Sequence, residues 1–110
     1  MAWLILFIAG LFETAWVVGM KYSDGFTKTG WSIFTIICIL ISMGLLSYSI
    51  KELPVGSAYA VWTGIGAAGT AVLGIILFDE SNEFIRLFFI FMIIAGIIGL
   101  KIFSSDTAAD

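Results

Sequence analysis

The chain has 110 residues, of which 61% are hydrophobic and 12% charged, with a formal charge of −3. Soluble domains average about a quarter charged residues, and a small domain leaves much of its surface in water, so this composition excludes an ordinary soluble fold and makes the bilayer the main solvent. Five basic residues, none clustered, exclude a nucleic-acid-binding stripe and a polybasic lipid anchor.

The first apolar segment covers about 2–20 and holds a single charge, Glu13. Its start lacks a basic region and a small-residue cleavage site, so it is expected to be a retained helix rather than a signal peptide. Leu6, Ala9, Gly10, Glu13, Trp16, Val17 and Met20 share one face at helical spacing. A carboxylate inside a membrane span is costly and is by default a functional-site hypothesis. Gly10 lies one turn before it and removes bulk beside the carboxylate. Trp16 lies one turn after and offers an indole face for cation–π attraction. The competing reading is an acid satisfied by a neighbouring helix for packing alone.

A polar loop, Lys21 to Thr29, leads to a second span at about 30–50. Its lone cysteine, Cys38, has no intrachain partner and is expected to be a small apolar packing residue. Ser42 is a lone hydroxyl in mid-span. Either it bonds the carbonyl one turn back on its own helix, or it holds a carboxylate. Lys51 to Gly56, with the only proline at Pro54, separates it from a third span at about 57–78. There Tyr59, Trp62, Thr63 and Gly66 share a face, as an interfacial aromatic belt or as a wall facing Glu13. Gly64 and Gly66 mark a conformational hinge, because glycine weakens helical continuity. Asp79 to Glu83 is the third loop, and the fourth span runs about 85–103. Its Gly96 and Gly99, with Ala95, form a small-residue patch suited to packing between subunits. A short polar tail covers 104–110.

Each span has the length an α-helix needs to cross about 30 Å of hydrocarbon. The predicted fold is therefore all-α: one four-helix transmembrane domain over 1–103, with both termini on one side of the membrane. The end with the termini and second loop carries Lys51 and Lys101, and the other carries Lys21, Lys28 and Arg86. Orientation follows a Lys/Arg excess, so a near balance predicts insertion both ways. Four short helices hardly enclose a solute pathway, so the chain is expected to oligomerise. Two copies, one inverted, would form the inverted pair common in transporters, with the site at the midplane.

No histidine is present. Proton exchange near neutral pH then falls to carboxylates. No nucleophile–base spacing and no cluster of metal ligands appears, so neither an enzyme nor a cofactor or metal is expected. A non-transporting membrane protein, with Glu13 as a packing acid, is the rival class.

Several stretches together resemble the small multidrug resistance family over nearly the whole chain apart from the tail. They are the first span with its single Glu13; Lys21-Tyr22-Ser23-Asp24-Gly25-Phe26-Thr27; Leu53-Pro54-Val55-Gly56-Ser57-Ala58-Tyr59-Ala60-Val61-Trp62-Thr63-Gly64-Ile65-Gly66; and Gly96-Ile97-Ile98-Gly99-Leu100-Lys101. The resemblance implies an antiparallel homodimer in the bacterial inner membrane that exports cations in exchange for protons. Trp16, and Trp62-Thr63-Gly64-Ile65-Gly66, resemble the guanidinium-exporting subtype. Thr14 and Ala15, and Asp79 before Glu80, depart from the family's more usual residues. The resemblance makes Glu13 the shared cation and proton site, with Gly10, Trp16, Ser42, Tyr59 and Trp62 around it. It implies that Ser42 holds one Glu13 oxygen, that Trp16 and Tyr59 fix the carboxylate and that Trp62 packs the wall. The alternatives within the family are a quaternary ammonium or multidrug exporter, and one subunit of a heterodimeric pair.

Overall fold

A computed structural model describes residues 1–104. Four helices follow in order: α1 (Ala2–Tyr22), α2 (Thr29–Ser49), α3 (Val55–Leu77) and α4 (Phe84–Ser104). All four are long and apolar enough to cross a membrane. Helices of 21 to 23 residues rise about 31–35 Å at 1.5 Å per residue. The expected polar tail lies outside the described residues except Ser104, which ends α4.

Local chemistry sets the ends of α1 and α3. After α1, Asp24, Gly25 and Phe26 adopt φ of 51°, 73° and 66°, a left-handed run that only glycine accepts without cost. The buried Ser23 holds this turn. Its hydroxyl donates to the Met20 carbonyl at 2.7 Å and accepts the Phe26 N–H at 3.1 Å. α3 begins at Val55, ahead of the expected Ser57, because Pro54 stands before it with φ −58° and needs no donor there. At the other end of α3 the Gly74 carbonyl accepts the N–H groups of both Phe78 and Glu80 at 3.1 Å, with Asp79 at φ 56° between them.

The helices do not close into a bundle. α1 packs between α2 and α3, α4 lies on the far flank of α3, and α2 barely touches α3. The order across the molecule is α2–α1–α3–α4, in a slab of 44 × 34 × 17 Å. A thickness of 17 Å leaves little more than one layer of helices, each about 10–12 Å across. Burial is therefore confined to the seams. The main core gathers Leu6 and Ala9 of α1, Leu53, and Ala58, Val61 and Trp62 of α3. Outward rows such as Ile33, Ile36, Ile37 and Leu40 on α2, and Phe84, Phe88 and Phe91 on α4, stay exposed. Water would not tolerate such faces; lipid and a partner helix both would.

The two ends of the slab differ. At one end Lys101 Nζ lies 5.5 Å from the Trp3 ring, and the Ser49 hydroxyl reaches the Ala2 carbonyl at 3.5 Å. At the other end Tyr22 stacks on Trp31 at 4.7 Å and meets Phe78 at 5.2 Å, with Lys21 Nζ 5.7 Å from the Phe78 ring. The N-terminus, the α2–α3 connection and the end of α4 thus share an end.

Candidate functional site

Small residues bring α1 and α3 together, as helix pairs in lipid require. A Cβ added at Gly66 would run into the Glu13 carboxyl group, one at Gly69 into the Thr14 side chain and one at Gly10 into Ile65. Gly10 thus makes room for Ile65 rather than for the carboxylate, and the residue that makes room for Glu13 is Gly66. The buried Thr14 hydroxyl shares its proton between the Gly66 carbonyl at 3.2 Å and the Gly10 carbonyl at 3.4 Å. That bond ties α1 to α3 beside Glu13.

Glu13 is half-buried. Its Oε1 is closed off from solvent and finds no hydrogen-bond partner among the described residues. The ion pair found among those residues is Arg86–Glu80, so no described cation neutralises Glu13. The carboxylate lies against a cleft of about 500 Å³. Thr63, Gly66 and Thr70 of α3 line it, and Lys21, Glu80 and Arg86 stand at its mouth. A larger groove of about 730 Å³ lies between Leu11, Ile65, Leu73 and Ile94 and carries no charged residue. It has the character of a lipid-facing or partner-facing surface, so the smaller, polar cleft is the candidate site.

Ser42 departs from both sequence readings. It neither bonds its own preceding turn nor holds Glu13. Its hydroxyl donates to the Ala9 carbonyl at 2.8 Å and accepts the Trp62 indole N–H at 3.0 Å. Thr35 and Ser49 on the same helix do bond one turn back, to the carbonyls of Trp31 and Leu45 at 2.8 and 3.0 Å. The difference is that Ala9, wholly buried, lets α2 close on α1 at the level of Ser42. The chain Trp62–Ser42–Ala9 links all three inner helices and fixes the buried indole, which is 5% exposed. Tyr59 packs on Trp62 at 5.6 Å between rings and is 57% exposed. Trp16 is half-buried, and its indole nitrogen, like that of Trp3, has no hydrogen-bond partner among the described residues.

The remaining glycines are placed as follows. α3 runs unbroken through Gly64 and Gly66, and Gly64 packs against Ile97 of α4. Gly96 and Gly99 meet open space. Among the described residues no three His, Cys, Asp or Glu side chains gather as a metal would require.

Sequence reasoning gave no site role to three groups of the cleft, Thr70, Glu80 and Arg86. Thr70 has a hydroxyl closed off from solvent and without a hydrogen-bond partner among the described residues. Arg86 donates to Glu80 Oε1 at 2.7 Å and to the Ala71 carbonyl at 3.5 Å. The available signal was the spacing Gly66, Thr70, Gly74, a one-turn repeat along one face of α3.

A family model described as Small Multidrug Resistance protein matches residues 1–93. A guanidinium exporter of Proteus vulgaris is 58% identical over 104 residues, which cover 94% of this chain and 100% of that protein. A guanidinium exporter of Yersinia pestis is 55% identical over 104 residues, with the same coverage of 94% and 100%. One of Salmonella typhimurium strain LT2 is 56% identical over 102 residues, covering 93% of this chain and 97% of that protein. With the family model spanning most of the chain and relatives this similar over nearly their whole lengths, the chain belongs to the small multidrug resistance family.

Proposed function

We propose that the protein exports guanidinium and small guanidinyl cations across the bacterial inner membrane in exchange for protons, as an antiparallel homodimer. The observation that carries this reading is Glu13: a membrane-embedded carboxylate with no cationic side chain paired to it among the described residues, set against a cleft that reaches a charged mouth. A cleft of about 500 Å³ falls in the usual range for small-molecule sites, about 300–1,000 Å³. The relatives' names supply the cargo, and its chemistry fits. A guanidinium ion is planar, permanently charged and a donor of paired hydrogen bonds that match a carboxylate.

The mechanism follows from one anion serving two cations. Glu13 holds either a proton or guanidinium. Binding one therefore expels the other, and exchange across the membrane couples their gradients. In a dimer the two Glu13 side chains would titrate as a coupled pair, so that one guanidinium displaces a proton from each, and every exchange carries net charge. Gly10, Trp16, Ser42, Tyr59 and Trp62 lie outside the lining of the polar cleft; the Trp62–Ser42–Ala9 chain would stiffen the three inner helices beside it, with Tyr59 and Trp16 as flanking aromatics and Gly10 in the α1–α3 seam. Gly64 and Gly66 would carry the hinge, and Gly96 and Gly99 the packing between subunits. The open space at Gly96 and Gly99 supports the dimer reading, because it leaves room for a partner helix to approach α4 closely.

The test is transport by purified protein in liposomes on a solid support. Guanidinium is expected to elicit a proton-coupled current, larger than that from tetraalkylammonium ions of similar concentration. Glu13→Gln is expected to abolish it. Coupled current retained in that variant removes Glu13 from the mechanism, and a preference for tetraalkylammonium makes the protein a quaternary ammonium exporter instead.

A further inference from the structure

Two carboxylates, not one, rest on the same ridge of α3. Glu13 lies over Gly66, and Glu80 lies over Gly74, where an added Cβ would run into its carboxyl group. Gly66, Thr70 and Gly74 follow at one-turn intervals, so the two contacts are about 12 Å apart along the helix. Thr70 sits midway, its hydroxyl without a partner among the described residues. All of these residues line the same polar cleft.

Glu80 is held in place over the ridge. Its N–H donates to the Gly74 carbonyl at 3.1 Å, next to Asp79 in its left-handed turn. The carboxylate already grips a guanidinium group, that of Arg86, at 2.7 Å. The same Arg86 nitrogen also reaches the Ala71 carbonyl at 3.5 Å. An anion and a carbonyl oxygen thus accept from one planar cation, and that cation has the head group of the proposed cargo. Both side chains remain open to water, at 32% exposure for Arg86 and 48% for Glu80. An exposed pair of this kind is weakly held, so a free guanidinium ion can exchange with Arg86. Lys21, the other cation at the mouth, is drawn over the Phe78 ring.

We propose that Glu80, with the Ala71 carbonyl, forms an outer guanidinium subsite at the cleft mouth, that Arg86 occupies it as a built-in competitor, and that the cation passes from there along Thr70 to Glu13. This rests on the reading of guanidinium as cargo. Glu80 raises the local concentration of the cation, and Arg86 sets the threshold the cation must exceed to enter.

The two members of the pair predict opposite results. In proteoliposome currents, Glu80→Gln is expected to raise the KM for guanidinium about two- to five-fold, the range set by an exposed charge pair. Arg86→Gln is expected to lower it by a similar factor. Arg86→Lys keeps a competing cation but loses the planar head group that reaches both Glu80 and the Ala71 carbonyl, so its KM should fall between those of the wild type and Arg86→Gln. A purely structural ion pair between α4 and the α3 end would make Glu80→Gln and Arg86→Gln fail in the same direction. KM changes of the same sign, or none, overturn the subsite while leaving the cargo reading intact. A wild-type protein that passes no guanidinium current overturns both. Melting temperatures of the two variants in detergent should match within a few degrees, which separates a KM effect from loss of folded protein.

Discussion

The contact of Glu13 with Gly66 makes Gly66→Ala the sharpest probe of the site. The new Cβ would lie 2.8 Å from Glu13 Cγ and closer still to the carboxyl group, where ordinary contacts run 3.4–4 Å. The Glu13 side chain must therefore move by about an ångström, judged from that ordinary spacing. Its carboxyl end is free to rotate, so the cost to stability stays within the about 1–3 kcal/mol of a small-to-large change. Better helix propensity of alanine offsets up to about 1 kcal/mol of it. Function has no such relief. Misplacing a binding group by about 1 Å costs on the order of a hundred-fold in rate. Guanidinium currents are expected to fall ten- to a hundred-fold, an order-of-magnitude figure from the same source, out of proportion to a loss of stability of at most about 2 kcal/mol. Gly69→Ala is the control. It meets Thr14, a short branched side chain whose Cβ would be 3.3 Å away and whose hydroxyl holds the Gly66 carbonyl. That side chain cannot swing aside, so Gly69→Ala should lose stability first. Wild-type currents from Gly66→Ala would refute the placement of the carboxylate on α3.

Other substitutions separate structure from transport. Ser42→Ala strips the Trp62 indole of its acceptor; an unmet buried donor costs about 1–3 kcal/mol, so detergent melting temperature should drop. Adding Trp62→Phe to Ser42→Ala removes that orphan, and a double-mutant cycle should show coupling of about 0.5–3 kcal/mol. Strict additivity would deny the bond. Thr70→Val deletes a buried hydroxyl that has no partner among the described residues, so stability should hold or rise while guanidinium turnover slows; unchanged turnover would take Thr70 off the path.

The parts of this protein legible in its sequence are those that a single helix decides. Span length and hydropathy act residue by residue along one segment, so four crossings and the odd charge at Glu13 stand out without any neighbour. Ser42 shows where that stops. A hydroxyl in lipid can bond its own turn, a carboxylate or another helix, and the choice was made by Ala9, thirty-three positions away on α1. Gly66 and Gly10 share this difficulty. Each is a glycine on a helix face, and only the register of α1 against α3 shows that one receives a carboxylate and the other an isoleucine. Glu80 reads as an ordinary loop charge, and Arg86 as a charge at the start of the fourth span, until the turn at Asp79 carries Glu80 back over Gly74.

The cleft is one-sided, and this bears on why the basic residues balance. From Glu13 it opens toward the end that carries Lys21, Phe78 and Glu80. Toward the other end, Leu6, Ala9, Ala58, Val61 and Trp62 pack into a core, and the groove of about 420 Å³ found there, between Trp3, Phe7, Ile97 and Lys101, does not include Glu13 in its lining. Among the described residues, the polar cleft at Glu13 therefore runs toward one end of the chain. A second copy in the same orientation would duplicate that route; an inverted copy would add the missing one. The near-equal split of Lys51 and Lys101 against Lys21, Lys28 and Arg86 would supply both orientations from a single sequence. Adding two or three lysines to the 51–56 connection, or to the 23–28 connection, should bias insertion one way each. Either biased chain alone is expected to lose guanidinium transport in cells, and co-expression of the two should restore it. Full activity from a chain fixed in one orientation, shown by labelling engineered cysteines from both faces, would refute the inverted pair.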